Sequence, residues 1–175
     1  MSMNTLQPGI SAPDDLNVVI EIPANSDPVK YEVDKDTGLL HVDRFSATSM
    51  VYPFNYGFVP NTLCDDGDPL DMMVLAPFPI CHGAVIRVRP IGVLMMTDEA
   101  GQDPKILAVP VSKLSKAYES VTEPEHLPKT TIRAIEHFFA HYKDLDEGKW
   151  VKIEGWKDAS YARQVVVDSI SACHN

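Results

Sequence analysis

The sequence predicts a mainly β protein of the α+β class, in which short strands come first and helices follow. β-branched apolar runs separated by Gly, Pro and Asp fill the first two thirds of the chain, and after Pro128 apolar residues recur every three or four positions. This order favours a small, closed or nearly closed barrel of about five strands with helices packed on it. With 175 residues and no linker or repeat, the chain is expected to form a single domain over 1–175.

Strands are predicted first in an N-terminal hairpin region. Residues 17–24 read NVVIEIPA and residues 28–33 read PVKYEV, and both are rich in β-branched residues. Residues 34–38 read DKDTG, a turn sequence that leads into the strand-like segment 39–45. Three further strands are predicted at residues 71–78, 84–96 and 105–111.

Two helices are predicted in the last third of the chain. The first begins at Pro128 and ends near Gly148, and its apolar stripe consists of Ile132, Ile135, Phe138, Phe139 and Tyr142. The second follows Asp158, which is a suitable N-cap because its carboxylate can accept a hydrogen bond from the first turn. Its inner face is predicted to carry Ala162, Val165, Val166 and Ile170.

Composition excludes several classes of partner. The chain has 25 acidic and 15 basic residues and a net charge of -10, so it is expected to bind neither nucleic acid nor anionic membranes. It lacks an apolar run of about 20 residues, and its N-terminus lacks the basic flank and apolar core of a secretory signal, which predicts a cytoplasmic protein. The three cysteines show no CxxC spacing and are interpreted as reduced thiols.

The stretch 63–75, LCDDGDPLDMMVL, crowds carboxylates in front of an apolar run. Four lie within seven residues: Asp65, Asp66, Asp68 and Asp71. Gly67 and Pro69 interrupt regular strand pairing, which indicates a shaped loop entering a strand. Taken alone, the motif is better explained as a solvated acidic turn. An EF-hand is excluded, because counting from Asp66 the sixth position is Asp71 instead of Gly and the twelfth is Pro77 instead of Glu.

A second acidic group occurs at residues 97–105, TDEAGQDPK, between two predicted strands. It contains Asp98, Glu99 and Asp103, and taken alone it is explained equally well as a polar hairpin loop. If the two loops meet at one end of a barrel, at least five carboxylates converge, and cations are needed to make this tolerable. Hard oxygen ligands without competing His or Cys spacings select Mg²⁺ or Mn²⁺ over zinc.

Polar residues elsewhere complete a hypothesis for this site. Strand alternation places Lys30 and Glu32 on one face, and taken alone they are better explained as a solvated pair. Glu21 stands among aliphatic residues, which one polar strand face would explain nearly as well. Further cations and hydroxyls are supplied by Arg44, Lys105, Lys143, Tyr52, Tyr56 and Tyr142. Each alone is a surface charge or a core aromatic, but cations beside metal-binding carboxylates together describe a pocket for a metal-bound polyanion such as a polyphosphate.

At this point the chain resembles a known family, the family I soluble inorganic pyrophosphatases of the bacterial type. The resemblance runs through VVIEIPANSDPVKYEVDKDTG, VDRF, YPFNYGFVPNT, DGDPLD, RPIGVLMMTDEAGQDPK, AVPVSKLSK and HFFAHYKDLDEGKWVKIEGW. It implies hydrolysis of diphosphate to two orthophosphates, several Mg²⁺ ions per site with Mn²⁺ as a possible substitute, and a homohexamer. It also implies a closed five-stranded barrel related to the OB-fold, with two main helices packed on it.

The resemblance also implies roles for individual residues. It assigns the principal metal ligands to Asp66, Asp71 and Asp103, a further metal site to Asp98 with Asp103, and outer acidic positions to Glu21 and Glu32. It assigns the role of general base to Asp68. It assigns to Tyr56 a hydroxyl that lies at the reaction centre and also binds the substrate. The remaining phosphate-binding positions fall on Lys30, Arg44, Lys105, Tyr142 and Lys143. The chain departs in having Pro104 between Asp103 and Lys105, which favours an extended backbone at Asp103.

Two other functions stay compatible with these residues. A non-catalytic OB-like module could hold divalent ions in the same acidic loops, and a nucleotide phosphohydrolase would share the chemistry. Single-strand nucleic-acid binders need a positive groove with stacking platforms, which the acidic composition disfavours. A nucleotide enzyme would need a base-binding surface, and the sequence indicates none.

Overall fold

The computed structural model describes residues 6–34 and 36–174. Among them are ten strands, two α-helices and one 3₁₀ turn, with these bounds: β1 Gly9–Ser11, β2 Asp15–Ile22, β3 Val29–Val33, β4 Leu40–Phe45, β5 Asn55–Phe58, β6 Asp71–Val74, β7 Val85–Asp98, β8 Gly101–Gln102, β9 Lys105–Pro110, the 3₁₀ turn Pro124–His126, α1 Lys129–His141, β10 Val151–Lys157 and α2 Ala159–Cys173. The predicted hairpin is present as β3 and β4, which pair only with each other among the described strands.

Five of these strands close on themselves. β2 pairs with β5, β5 with β6, β6 with β9 and β9 with β7, and β7 pairs back with β2. The pairings are antiparallel except for the parallel pair of β6 and β9. This circuit confirms the predicted α+β protein with a closed five-stranded barrel and two helices. Each of these five strands pairs with a neighbour on both sides, so none is an edge strand. The closed barrel is therefore a rigid frame for the side chains at its ends.

Apolar residues on both faces of the barrel strands account for the packing of the helices. Met73 belongs to a buried cluster that includes Phe138 of α1, whereas its neighbours Met72 and Val74 belong to a second cluster that includes Val166 of α2. Successive strand residues point to opposite faces, so a strand that is buried on both sides reads as a continuous apolar run. The run MMV in β6 is such a strand.

Both helices begin where the sequence predicted, α1 directly after Pro128 and α2 directly after Asp158. α2 begins after Asp158, whose side chain accepts a hydrogen bond from the Tyr161 N–H at 2.8 Å, as predicted. The prediction that the first helix ends near Gly148 was wrong, because α1 ends at His141. The chain continues in tight turns, in which the Asp144 N–H bonds to the His141 carbonyl at 3.1 Å. No helix among the described residues has the length and apolar character needed to cross a membrane.

Four of the described strands were not predicted: the short strands β1 and β8, and β5 and β10, which pair with strands distant in sequence. β5 reads NYGF, and its glycine and polar residues give no alternating apolar pattern. Gly57 is required there by close packing, because a Cβ at this position would lie 1.9 Å from the Val19 carbonyl oxygen of β2. β10 pairs with β7 through a register shift between Ile153 and Gly155, which breaks its alternation.

Candidate active site

One cavity of about 330 Å³ collects every residue that the sequence assigned to the site. Its lining includes Glu21, Lys30, Glu32, Arg44, Tyr56, Asp66, Asp68, Asp71, Asp98, Asp103, Lys105, Tyr142 and Lys143. The two acidic loops therefore meet at one place. Asp65, the fourth carboxylate of the first loop, is not part of the lining, whereas Tyr52, Glu99 and Lys149 are.

The parallel pair of β6 and β9 positions two ion pairs around the buried side chain of Lys105. Asp71 is the first residue of β6 and Lys105 the first of β9, and they lie level because Met72 is in register with Ile106. The Lys105 ammonium pairs with Asp71 and lies 2.6 Å from Asp103 Oδ1. Burial opposes the charge on Lys105, but the two carboxylates outweigh it and raise its pKa. Lys105 is therefore a permanent cation.

A second buried pair joins the end of β7 to the turn after α1. Lys143 Nζ lies 2.6 Å from Asp98 Oδ2. Burial raises the pKa of Asp98, but the hydrogen bond from Lys143 and further contacts lower it below the ordinary value. Glu99 lies 3.4 Å from the Lys143 ammonium and 3.3 Å from that of Lys149. Glu99 was visible in the second acidic loop without a role, and no sequence signal indicated Lys149.

The first acidic loop is a hydrogen-bonded turn. Gly67 has a φ of 86°, which a glycine adopts at little cost, and its N–H bonds to the Cys64 carbonyl at 3.0 Å. The Asp68 N–H donates to Asp66 Oδ1 at 3.0 Å, and the Cys64 N–H donates to the Asp68 carbonyl at 2.8 Å. These bonds give the exposed carboxylates Asp66 and Asp68 a defined place beside the cavity.

The hairpin of β3 and β4 contributes two half-buried cations, Lys30 and Arg44. Lys30 is in register with Arg44, and the shift to the pair of Tyr31 with Val42 makes Asp43 an extra residue, that is, a β-bulge. Asp43 Oδ2 lies 3.1 Å from Arg44 Nη1 and 3.5 Å from Lys30 Nζ. Lys30 also pairs with Glu32. The hairpin therefore presents its two cations side by side.

A second bulge directs Glu21. In β2, Ile20 faces Gly57 and Ile22 faces Tyr56, so that Glu21 is the extra residue opposite β5. Its side chain is 8% exposed, and its Oε1 accepts a hydrogen bond from the Val33 N–H at 2.7 Å. Burial raises the pKa of Glu21 to about 8, although the bond from Val33 opposes this. In the metal-free protein Glu21 therefore holds a proton at neutral pH.

The tyrosines at the cavity are neutral hydrogen-bond donors. Burial raises the pKa of Tyr52, Tyr56 and Tyr142. The ring of Tyr142 stacks on Phe138 with 5.3 Å between centroids, which fixes the turn after α1 against the core. The Lys105 ammonium lies 5.7 Å from the centre of the Tyr56 ring. These contacts hold hydroxyl groups beside buried cations, where an anionic oxygen could accept from both.

The donor set fits divalent metal ions of the hard type. Eight carboxylates and five basic side chains line the cavity, so that negative charge exceeds positive charge, and no His or Cys is among the lining residues. In residues 6–34 and 36–174, the side chains of His, Cys, Asp and Glu do not form a group of three or more that could hold a metal ion in their present positions. Lys105 and Lys143 instead contact the buried carboxylates.

The closed barrel and its charged cavity define a class of protein, a small β-barrel with a cavity lined by carboxylates, ammonium groups and tyrosine side chains. The family model for inorganic pyrophosphatase matches residues 18–174, and the chain belongs to this family. It is therefore a hydrolase of a family that depends on metal ions in general.

Individual relatives agree over nearly their whole length. The chain is 56% identical to the inorganic pyrophosphatase of Yersinia pestis, with 97% of each chain covered. It is 53% identical to that of Escherichia coli strain K12, covering 100% of this chain and 99% of the relative. The solved structure of an inorganic pyrophosphatase from Coxiella burnetii superposes with a TM-score of 0.93 at 51% identity, covering 95% of this chain and 99% of the other.

Proposed function

We propose that this chain hydrolyses inorganic diphosphate to two orthophosphates in the charged cavity, with Mg²⁺ as its metal. One observation carries the proposal: a chain that matches the inorganic pyrophosphatase family over residues 18–174 brings carboxylates, buried ammonium groups and tyrosine hydroxyls together in a single cavity. Diphosphate is a small polyanion, and it can use all three kinds of group at once. The alternative of a non-catalytic metal-binding module is not favoured, because the family is one of enzymes.

The metal ligands in this proposal are carboxylates only. Asp66, Asp71 and Asp103 would hold the principal Mg²⁺ ions, and Asp98 would join Asp103 in a further site. Glu21 and Glu32 would be the outer acidic positions of the pocket. Bound Mg²⁺ would lower the pKa of a water molecule from about 15.7 towards neutrality and neutralise phosphate oxygens. Mn²⁺ accepts the same oxygen donors and is expected to substitute for it.

The protein groups perform the remaining steps. Asp68 receives the proton of the attacking water, whose oxygen bonds to one phosphorus as the bridging P–O bond breaks. Lys30, Arg44, Lys105 and Lys143 donate charge-assisted hydrogen bonds to the phosphate oxygens and stabilise the departing phosphate. Tyr56 and Tyr142 donate from neutral hydroxyls. No covalent intermediate with the enzyme is required.

The test is phosphate release by the purified protein at slightly alkaline pH. Diphosphate is supplied with Mg²⁺ or with a chelator, and ATP with Mg²⁺ is the control substrate. Release that needs both Mg²⁺ and diphosphate supports the proposal, whereas folded protein that releases no phosphate refutes it.

In Asp71→Ala, half-maximal activity is expected to need at least about tenfold more Mg²⁺, because a group that holds the metal is lost. An unchanged Mg²⁺ titration would remove Asp71 from the ligand set.

The setting of this activity is also part of the proposal. We expect one catalytic domain over 1–175, assembled as a homohexamer and located in the cytoplasm. A native mass spectrum of the purified protein tests the assembly, and a monomer at micromolar concentration would contradict it. Fractionation of the source cells tests the compartment.

A further inference from the structure

The loop between β6 and β7 contains a histidine, His82, that contacts residues next to or in the wall of the cavity but does not line the cavity itself. His82 Nδ1 lies 2.9 Å from the carbonyl oxygen of Glu21. A carbonyl oxygen only accepts, so Nδ1 carries the hydrogen and donates it. The imidazole also packs on the ring of Tyr31, with 4.5 Å between centroids and 58° between planes.

The backbone around His82 is fixed to β2. The Gly83 N–H donates to the Ile20 carbonyl at 2.7 Å, and the Ile20 N–H donates to the Ala84 carbonyl at 2.9 Å. The loop therefore lies alongside β2 at the residue before the bulge. The imidazole makes the next contact along the strand, at the bulged residue Glu21. Bulges redirect a side chain at the cost of regular pairing, so an added hydrogen bond to the bulged residue fixes its orientation.

Tyr31 extends this contact to the hairpin. It lies in β3 between Lys30 and Glu32, which both line the cavity. The Val33 N–H of the same strand donates to the Glu21 carboxylate at 2.7 Å. β2 and β3 are thus joined twice near the cavity, once through the side chain of Glu21 and once through His82 and Tyr31.

We propose that His82 is a positioning residue for one wall of the cavity, formed by Glu21, Lys30 and Glu32. This inference rests on the proposed function, since it assigns His82 an effect on diphosphate and Mg²⁺ binding. His82 touches neither in this proposal. Its hydrogen bond fixes the backbone of Glu21, and the packing of its ring on Tyr31 is a smaller contribution to the position of the strand that carries Lys30.

Three variants separate the two contacts. His82→Ala removes both, His82→Phe keeps a ring for Tyr31 without a donor, and His82→Asn keeps a side-chain N–H near the place of Nδ1 without a ring. The matched control is His174→Ala. His174 also bonds to a backbone carbonyl through Nδ1, to Ile170 at 2.7 Å, but it lies at the end of α2 and outside the cavity lining.

The readouts are KM and kcat for diphosphate and, without substrate, the Mg²⁺ concentration that gives half of the thermal shift. In His82→Ala we expect KM and this Mg²⁺ concentration to rise about threefold to tenfold, which corresponds to one lost hydrogen bond, with little change in kcat. His82→Asn is expected within about twofold of the parent, since it keeps the donor. His82→Phe should resemble His82→Ala, and His174→Ala the parent.

Two results would overturn the inference. One is a His82→Ala protein with reduced stability to urea but unchanged KM and Mg²⁺ response, which is a structural role alone. The other is a His82→Asn protein no better than His82→Ala. Failure of the proposed function is a separate result, because then the parent protein itself releases no phosphate from diphosphate.

Discussion

The charged side chains of the cavity fall into two sets that are held in different ways. The inner set is built around the buried side chains of Asp98, Lys105 and Lys143, which pair with each other or with the half-buried Asp71 and Asp103. The outer set lies on the first acidic loop and the β3 and β4 hairpin, and consists of Lys30, Glu32, Arg44, Asp66 and Asp68. The side chain of Lys105 is 5% exposed, whereas those of Arg44 and Glu32 are 37% and 50% exposed.

Because of this difference, substitutions in the two sets should affect stability to different extents. A buried charge that loses its partner costs far more than an exposed one, because water cannot replace the partner. Changes in the inner set should therefore alter folding as well as catalysis. Substitutions in the outer set should alter catalysis with little effect on folding, because these side chains on the turn and the hairpin are more accessible to solvent.

The largest effect is expected in the outer set, for Asp68→Asn. Loss of the general base should reduce kcat by about 100-fold to 10,000-fold, while Mg²⁺ and diphosphate still raise the melting temperature. Phosphate release and thermal unfolding measure the two properties. Asp65→Asn is the matched control, because Asp65 is in the same loop and does not line the cavity. Normal turnover in Asp68→Asn would remove this residue from the role of base.

The next effect is expected in the inner set, for Lys105→Met. Asp71 and Asp103 would lose their buried cation, which should cost about 3 to 5 kcal/mol of unfolding free energy in the presence of a chelator. Urea unfolding at one protein concentration measures this, and added Mg²⁺ should restore part of the loss by replacing the cation. Lys149→Met, at an exposed lysine, should cost at most about 1 kcal/mol. Equal stability of the two variants would refute the comparison.

The buried side chain of Glu21 makes the stability of the folded protein depend on pH. Its folded pKa of about 8 lies above the unfolded value, so the folded state binds more protons and loses stability as the pH rises from about 4.5 to 8. With a chelator present, Glu21→Gln removes this loss, since an amide can still accept from the Val33 N–H. Relative to the parent, the variant should gain about 2 to 3 kcal/mol between pH 5 and pH 7. Urea unfolding at both pH values measures it, and a constant difference would contradict the buried acid.

Local sequence patterns predicted the hairpin and the N-cap Asp158, because alternation and capping act over a few residues. The pairing of Lys105 with Asp71 joins residues 34 positions apart. It depends on the parallel register of β6 and β9, which no local pattern contains. β5 was missed for the same reason, since Gly57 is required by the approach of β2 and not by its own neighbours. The site residues were found together because their motifs occur in order along the chain, whereas His82 stands in no such motif.

The smallest effect is expected for Glu32→Gln in the outer set. Glu32 pairs directly with Lys30 at an exposed site, so the unfolding free energy should change by no more than about 0.5 kcal/mol. The Mg²⁺ concentration for half-maximal activity should rise only about twofold, because the lost charge is screened by solvent. Urea unfolding in chelator and a Mg²⁺ titration of phosphate release measure both quantities. A stability loss as large as that of Lys105→Met would place Glu32 in the inner set, since exposed pairs do not produce losses of that size.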